Sequence, residues 1–230
     1  MILKKDRGDS PLDFTKVSGQ AFKRVSLNII PLTLILVTAT SVATEDYRNK
    51  KDELSREVNG VITSEPKNGI VKVEPKLEPA FDKEDVRTKS NISISDLERV
   101  LKNTNLHELS STFILAEEVY QVNSLFLLGL VSLESGHGKS RRSIEDNNLT
   151  GYAVYSDSSR GAVFESKEEN ILATAQLISE EYLKEHGQYF NGYSVEDINK
   201  KYSADENWHK KIIDIASDYR NKISLWNLLS

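Results

Sequence analysis

The sequence contains no cysteine among its 230 residues, and its few prolines are unevenly placed. Without cysteine there can be no disulfide framework, no thiolate nucleophile and no cysteine metal site. All five prolines lie at or before Pro79, so the rest of the chain lacks the residue that most often interrupts helices. This distribution favours a compact helical domain in the C-terminal part of the chain.

Sequence patterns typical of metal and phosphate sites are also missing. The histidines show no His-Glu-x-x-His or comparable ligand spacing, and no glycine-rich loop is suited to cradle a phosphate. We therefore expect no metal and no cofactor, and we assign surface or local hydrogen-bonding roles to the histidines. They are His107, His137, His186 and His209.

The charge of the chain is acidic overall but basic at its start. The net charge is −5, and residues 1–24 carry six Lys and Arg against three Asp, which makes this arm +3 and the remainder −8. An acidic main body argues against general nucleic-acid binding, because such binding relies on basic side chains that neutralise phosphates. The basic cluster of Lys139, Arg141 and Arg142 is interpreted as solvated surface, with contact to an anionic polymer as the alternative.

An uncharged run covers residues 25–43 and directly follows Lys23 and Arg24. A bilayer-spanning helix needs about 20 apolar residues, and the basic flank should stay in the cytoplasm. We predict a transmembrane anchor or a signal peptide, with the rest of the chain outside the cytoplasm. Ser41-Val42-Ala43 has the small-x-small form of a cleavage site, so both alternatives stay open.

The remaining chain divides into a linker and a domain. Residues 44–91 are charged, poor in large apolar side chains and contain repeated Glu-Pro and Pro-Lys pairs, which favour an extended spacer. Residues 92–230 show apolar side chains at helical spacing and three serine caps followed by an acid three residues later. These caps are Ser95 with Glu98, Ser166 with Glu169, and Ser194 with Asp197.

Glu134 lies at the end of the most apolar predicted helix. Asn123 can cap this helix, its apolar residues run on nearly every face, and Gly136 suits the left-handed position after its end. A carboxylate there meets the negative end of the helix dipole and is partly desolvated, and both effects should raise its pKa. A carboxyl that keeps its proton is suited to general acid catalysis. The alternative is an exposed helix-end residue.

Four ordered motifs resemble one known family. "LESGHGKS" and "NNLTGY" look like the Leu-Glu-Ser-Gly-x-Gly and Asn-Asn-Leu-x-Gly segments of the glucosaminidase domain of bacterial autolysins and flagellar peptidoglycan hydrolases. "FESKEENILATAQLI" and "KYSADENWHKKI" resemble its Ser-x-x-Glu helix start and its Tyr-x-x-Asp-x-x-Tyr/Trp segment. The resemblance covers roughly residues 108–225.

The resemblance implies a catalytic role for one residue and places the others around a sugar cleft. Glu134 would be the catalytic acid, and Gly138 would help to shape the turn that presents it. Trp208 is expected either to stack on a sugar or to lie in the core. The residues implied for the substrate site are Ser135, Gly136, Asn148, Leu149, Gly151, Tyr152, Tyr202 and Trp208.

The chain departs from the family at the second acid. Family members often carry this acid in a longer β-lobe, whereas here β-favouring residues around 157–161 indicate only a short hairpin. Asp157 could be a base that activates water, or an ordinary turn residue. Glu165 could simply precede the Ser166 cap. If no second acid reaches the cleft, the N-acetyl group of the substrate could assist the reaction.

The combined interpretation is a mainly α, lysozyme-like domain with a short β-hairpin, preceded by a transmembrane or signal helix and an extended linker. The function expected from the resemblance is hydrolysis of the β-1,4 bond after N-acetylglucosamine in peptidoglycan, with general acid catalysis by Glu134. The alternatives are muramidase or lytic transglycosylase action on the same polymer, or a wall-binding module without turnover. The expected partners are glycan strands and, through residues 25–43, the membrane.

Overall fold

The computed structural model of the protein describes residues 77–153 and 161–229. Within these residues the chain forms seven α-helices and no strand. The helices are α1 (Ile94–Leu101), α2 (Ser110–Tyr120), α3 (Ser124–Ser135), α4 (Arg141–Glu145), α5 (Lys167–Leu177), α6 (Val195–Tyr202) and α7 (Trp208–Leu229). A 3-10 turn at His107–Leu109 leads into α2, and a π-helical segment at Ile178–Leu183 continues α5.

The described part of the chain is thus mainly helical, as the sequence predicted. None of the helices in residues 77–153 and 161–229 combines the length and apolar character needed to cross a membrane. The basic arm 1–24, the uncharged segment 25–43, the linker as far as residue 76, and Asp157 lie outside the described residues.

Helix α3 forms the centre of the core. Its residues from Ser124 to Ser132 are all buried, as the apolar pattern predicted. Gly129 lets α7 approach closely, because a Cβ at this position would lie only 3.1 Å from the carbonyl oxygen of Ile212 and 3.4 Å from the Cβ of Ala216. The ends of these two packed helices carry the residues of the candidate site.

Capping side chains define where the helices begin, and two of the three predicted serine caps are confirmed. Ser194 and Asp197 form a reciprocal capping box, and Ser166 accepts a hydrogen bond from the Glu169 amide. The prediction for α1 was wrong by two residues, since the box is formed by Ser93 and Asp96. Both pairs have the same spacing, but Asp96 is buried whereas Glu98 is exposed.

Residues 77–91, which the sequence assigned to the linker, pack on the helical domain. The Val86 side chain is fully buried, its amide donates to the Tyr193 carbonyl at 3.0 Å, and its carbonyl accepts from the Asn123 amide at 2.8 Å. The side-chain amide of Asn123 also donates to the carbonyls of Ala80 and Thr88. The boundary therefore lies before residue 92, because backbone hydrogen bonds hold a segment whose composition resembles a spacer.

The predicted β-hairpin contains no strand in its described flanks. Across these flanks the Ala162 amide donates to the Tyr152 carbonyl at 3.0 Å, and the Phe164 amide donates to the Asp146 carbonyl at 3.0 Å. These two isolated backbone bonds close the base of a loop. The tip, residues 154–160, lies outside the described residues.

Glu117 on α2 links the 77–91 segment to the start of α3. Its carboxylate is buried and accepts the backbone amides of Ser90 and Ser124, each at 2.7 Å. Glu117→Ala leaves both buried amides without this acceptor, so we expect a loss of about 3 kcal/mol in the free energy of unfolding. Urea denaturation measures the loss.

The neighbouring exposed residue provides the control for this prediction. Glu118→Ala should change the free energy of unfolding by less than about 0.5 kcal/mol, because surface substitutions away from special contacts have small effects. Equal losses in the two variants would show that the buried carboxylate does not hold these segments together.

Candidate active site

Glu134 lies in the last turn of α3, where the buried helix reaches the surface. The helix ends at Gly136, which adopts the left-handed conformation (φ 58°) and donates its amide to the Ser132 carbonyl, as predicted. Asn123 caps the other end by accepting the amides of Leu125 and Phe126. Glu134 itself is only partly exposed. The helix thus places one carboxyl group at the edge of the core.

The surroundings of Glu134 favour the protonated carboxyl group. Burial raises the pKa of Glu134 above its usual value of 4.5, while the hydrogen bond from Trp208 and the positive charge of Lys211 oppose the rise. The net effect is a raised pKa of Glu134, as the sequence predicted. A raised pKa leaves more of this carboxyl group protonated near neutral pH than an ordinary glutamic acid.

Trp208, the first residue of α7, orients the Glu134 side chain. The indole Nε1–H donates to Oε1 of Glu134 at 2.7 Å, and the indole is 3% exposed. The carboxyl proton is disfavoured on the oxygen that accepts this hydrogen bond. The proton is therefore favoured on Oε2, so the bond selects both the orientation of the carboxyl group and the oxygen that can donate.

A hydrogen-bonded turn fixes the position of Trp208. The Trp208 amide donates to the Asp205 carbonyl, and the buried side chain of Asn199 donates to the same carbonyl at 3.0 Å. The Asp205 carboxylate accepts the Asn207 amide and pairs with Lys211 at 2.6 Å. This network connects the end of α6 to the start of α7. The Tyr-x-x-Asp-x-x-Trp segment therefore shapes the corner that carries the indole.

Aromatic rings form a row behind the carboxyl group. The Tyr202 ring lies 4.8 Å from the Trp208 ring and 5.8 Å from the Tyr182 ring, which in turn lies 5.0 Å from the Tyr189 ring. Burial and, secondarily, the negative charge of Glu134 raise the pKa of Tyr202 well above its usual value. Tyr202 thus stays neutral beside the acid, and the row excludes water from one side of it.

The turn after Glu134 is held by Ser135 and Gly138. The Ser135 hydroxyl donates to the Val131 carbonyl at 2.6 Å and accepts the Gly138 amide at 2.7 Å. Gly138 has a φ of +78°, and a Cβ there would lie 2.9 Å from the Cβ of Asn105. This close approach explains the need for glycine and places the chain that follows the acid against the loop between α1 and the 3-10 turn.

Buried asparagine side chains hold the Asn-Asn-Leu-Thr-Gly segment, residues 147–151, by hydrogen bonds to its backbone. The Asn148 side chain donates to the carbonyls of Tyr152 and Ala162 and accepts the Tyr152 amide. The fully buried side chain of Asn170, on α5, accepts the Leu149 amide at 2.9 Å. These bonds fix the described part of the loop that follows α4.

The central and C-terminal parts of the domain match a known family. The model of the family described as Glucosaminidase, mannosyl-glycoprotein endo-beta-N-acetylglucosaminidase, matches residues 110–221. Residues 110–221 belong to the glucosaminidase family. This range contains Glu134, Trp208 and every helix from α2 to α6, so the family domain includes the whole candidate site.

Two proteins of Streptococcus pneumoniae, from strains TIGR4 and R6, resemble this glucosaminidase domain. Each is described as "Putative endo-beta-N-acetylglucosaminidase" and is 30% identical over 155 residues. The matched region is 64% of this chain but only 23% and 22% of the two relatives. The chain thus spans less than a quarter of the length of these relatives.

Solved structures of Staphylococcus aureus autolysin E share the fold. A catalytic mutant in complex with the disaccharide NAG-NAM has 22% identity and a TM-score of 0.51, over 62% of this chain and 74% of that chain. A complex with the muropeptide NAM-L-Ala-D-iGlu gives the same identity and TM-score, over 61% and 72%. The glucosaminidase fold predicted from the motifs is therefore confirmed for the described residues.

The predicted site residues take different positions in the glucosaminidase domain. Glu134, Tyr202 and Trp208 come together at one end of the core. Asn148 and Leu149 are buried, and Ser135 is buried within its turn, whereas Gly151 and Tyr152 are partly exposed. A substrate role stays a prediction for these five residues and for Gly136, Tyr202 and Trp208, as do the catalytic roles of Glu134 and Asp157. Glu165 is exposed, and its amide donates to the Glu169 carboxylate.

Sequence reasoning missed three contributors to the candidate site. Lys211 acts on the Glu134 charge, Asn199 organises the corner before α7, and Asn170 holds the 148–151 segment. Asn170 follows Glu168 and Glu169, and Lys211 lies six residues after Asp205, so neither position carries a signal of a site role in the sequence. The indole N–H as a donor to Glu134 carried no such signal. Within residues 77–153 and 161–229 no cluster of three potential metal-ligating residues occurs.

The raised pKa of Glu134 has a consequence for stability. Because the folded state binds this proton more tightly than the unfolded state, stability is lost as the pH rises from the unfolded pKa, near 4.5, through the folded pKa. Glu134→Gln has no ionisable group at this position, so its stability does not depend on this proton. We expect its melting temperature to match the wild type at pH 4 and to exceed it at pH 8. A difference that shrinks with rising pH would contradict the raised pKa.

Proposed function

We propose that this protein is a peptidoglycan hydrolase that cleaves the β-1,4 bond after N-acetylglucosamine, with Glu134 as the general acid. The observation that carries the proposal is a part-buried carboxyl group with a raised pKa, held at the end of α3 by the Trp208 indole. Support also comes from the family, whose relatives are described by endo-beta-N-acetylglucosaminidase activity, and from autolysin E, whose structures contain NAG-NAM and a muropeptide.

The proposed reaction begins with proton transfer from Oε2 of Glu134 to the glycosidic oxygen. As the bond between this oxygen and the sugar C1 breaks, the leaving sugar departs as a neutral alcohol and Glu134 becomes a carboxylate. Positive charge then develops at C1, where water completes the hydrolysis. Either Asp157 activates this water, or the substrate's own N-acetyl carbonyl attacks C1 first and the water attacks afterwards. In the first case Asp157 takes the proton of the water, and both carboxyl groups return to their starting states by proton exchange with solvent; in the second case the Glu134 carboxylate takes that proton itself.

The products distinguish this reaction from its alternatives. We expect the purified protein to release fragments with N-acetylglucosamine at the reducing end from intact cell-wall peptidoglycan, as measured by mass spectrometry. N-acetylmuramic acid at that end would indicate a muramidase, and 1,6-anhydro ends would indicate a lytic transglycosylase. Wall binding without any new reducing ends would indicate a module without turnover, and would overturn the proposal.

The place of action is part of the same proposal. The uncharged segment 25–43 would export the domain, as a retained anchor or a cleaved signal, to the side of the membrane where peptidoglycan lies. In cells that express the full chain, external protease should digest the domain while a cytoplasmic marker survives. Complete protection of the domain until the cells are lysed would exclude export.

A further inference from the structure

A concave surface lies outside the site around Glu134. We call it the α1–α7 groove: it has a volume of about 490 Å³ and is lined by the end of α1, the turn after α3 and one side of α7. Volumes of about 300–1,000 Å³ are typical of small-ligand sites. Glu134, Tyr202 and Trp208 do not line the groove, and nothing in the reaction proposed above uses it.

The groove carries charges of both signs. Asp218 and Lys222 on α7 form an ion pair at 2.6 Å. The side chains of Asp214, one turn earlier on α7, and Lys139, in the turn after α3, are exposed and make no hydrogen bond or ion pair with any residue in the described part of the chain. One carboxylate and one ammonium group are thus available to a ligand that carries the opposite charges.

The wall between these charged groups is partly apolar and fixed. Val100 and Ile215 contribute apolar surface, and the Tyr219 hydroxyl lies 3.2 Å from Nδ1 of His137. Tyr219 is 4% exposed and its hydroxyl also lies 3.4 Å from the Ser132 hydroxyl on α3. These contacts attach the turn carrying Lys139 to the α7 side of the groove, so that the fold sets the positions of the backbones that carry the two charged groups.

Several groove residues follow Glu134 and Trp208 closely along the chain. Lys139 follows Glu134 by five residues on the same turn. Along α7, Asp214 and Lys222 follow Trp208 by six and fourteen residues, which correspond to about 9 and 21 Å at about 1.5 Å per residue. An extended peptide of four or five residues spans about 13–18 Å. The length of such a peptide is therefore comparable with the rise along α7 from Trp208 to the groove residues.

We propose that the α1–α7 groove binds the stem peptide of the glycan strand, with a free amino group of the peptide on Asp214 and a free carboxylate on Lys139. The inference rests on the proposed function, because it takes peptidoglycan as the substrate. Neutral sugars offer no charge to pair with these two groups. A peptide stem with free amino and carboxylate groups matches both, and the apolar strip faces its alanine side chains.

The first test measures peptide binding without catalysis. The probe is the tetrapeptide L-alanyl-γ-D-glutamyl-L-lysyl-D-alanine, titrated into the full chain and followed by NMR. We expect binding that weakens about tenfold or more in the double variant Lys139→Gln/Asp214→Asn, because each substitution removes one charge from the pair of contacts. The net charge of the protein is unchanged. Both side chains are exposed, and thermal melting verifies that the variant is folded.

A matched variant controls for loss of surface charge. Lys89→Gln/Glu118→Gln removes one ammonium and one carboxylate that are exposed and do not line the groove, and it should bind the tetrapeptide like the wild type. Absence of binding by the wild type, or equal binding by the wild type and the groove variant, overturns the inference.

The second test separates the groove from the reaction. It compares KM for glycan strands that carry stems with KM for strands from which an amidase has removed the stems. The wild type should prefer the stemmed strands by about tenfold, and the groove variant should lose this preference with little change in kcat. A preference retained by the groove variant overturns the inference. If the wild type binds the tetrapeptide but cleaves neither kind of strand, the proposed hydrolase activity fails while the groove assignment survives.

Discussion

Glu134→Gln should reduce cleavage of purified cell walls by about a thousandfold or more, with folding intact, because general acid catalysis contributes about 10²–10⁴-fold and the amide has no proton to donate. The substitution preserves the size of the side chain and an oxygen that can accept the Trp208 N–H. The loss should therefore appear in kcat rather than in KM. Release of reducing ends measures the rate, and circular dichroism verifies the fold.

Two controls make this result specific for the carboxyl group at the end of α3. Glu118→Gln makes the same chemical change at an exposed position and should keep full activity. Glu134→Asp keeps an ionisable group but withdraws it by one methylene from the indole, and it should retain only a small part of the activity. Undiminished cleavage by Glu134→Gln would remove Glu134 from the mechanism and with it the proposed reaction.

The features of the site that depend on neighbouring residues could be predicted from the sequence. The apolar run of α3, its Asn123 cap and its Gly136 terminus are local patterns, and they are sufficient to place Glu134 at a helix end beside the core. The direction of its pKa follows from that placement. The turn chemistry of Ser135 and Gly138 is equally local, since its main contacts lie within four residues along the chain.

The features that depend on tertiary contacts could not be predicted in this way. The bond between Trp208 and Glu134 joins residues 74 positions apart, and no periodicity specifies which side of the indole faces the acid. The sequence offered stacking or core packing for Trp208, whereas the structure shows a buried ring that also donates a hydrogen bond. The packing of residues 77–91 was missed for the same reason. Amino-acid composition does not show which backbone groups form hydrogen bonds with distant segments.

Trp208→Phe should separate orientation of the acid from packing around it. The phenyl ring can keep its contact with Tyr202, whose ring lies 4.8 Å away, but it has no N–H for Oε1 of Glu134. The carboxyl group then loses its orientation and its preference for a proton on Oε2. We expect activity to fall by about 10–100-fold, because a small misplacement of a catalytic group can cost about a hundredfold.

The pH dependence of Trp208→Phe identifies the cause of that loss. The indole N–H lowers the pKa of Glu134 against the larger effect of burial, so its removal should raise this pKa further. A general acid must be protonated, and activity is lost as the pH rises through its pKa. The alkaline limb of kcat/KM should therefore move to higher pH in Trp208→Phe. Trp226→Phe, a substitution of an indole that is 50% exposed near the end of α7, should change neither rate nor profile. A lowered rate with an unmoved alkaline limb would mean that Trp208 only supports the packing around the acid.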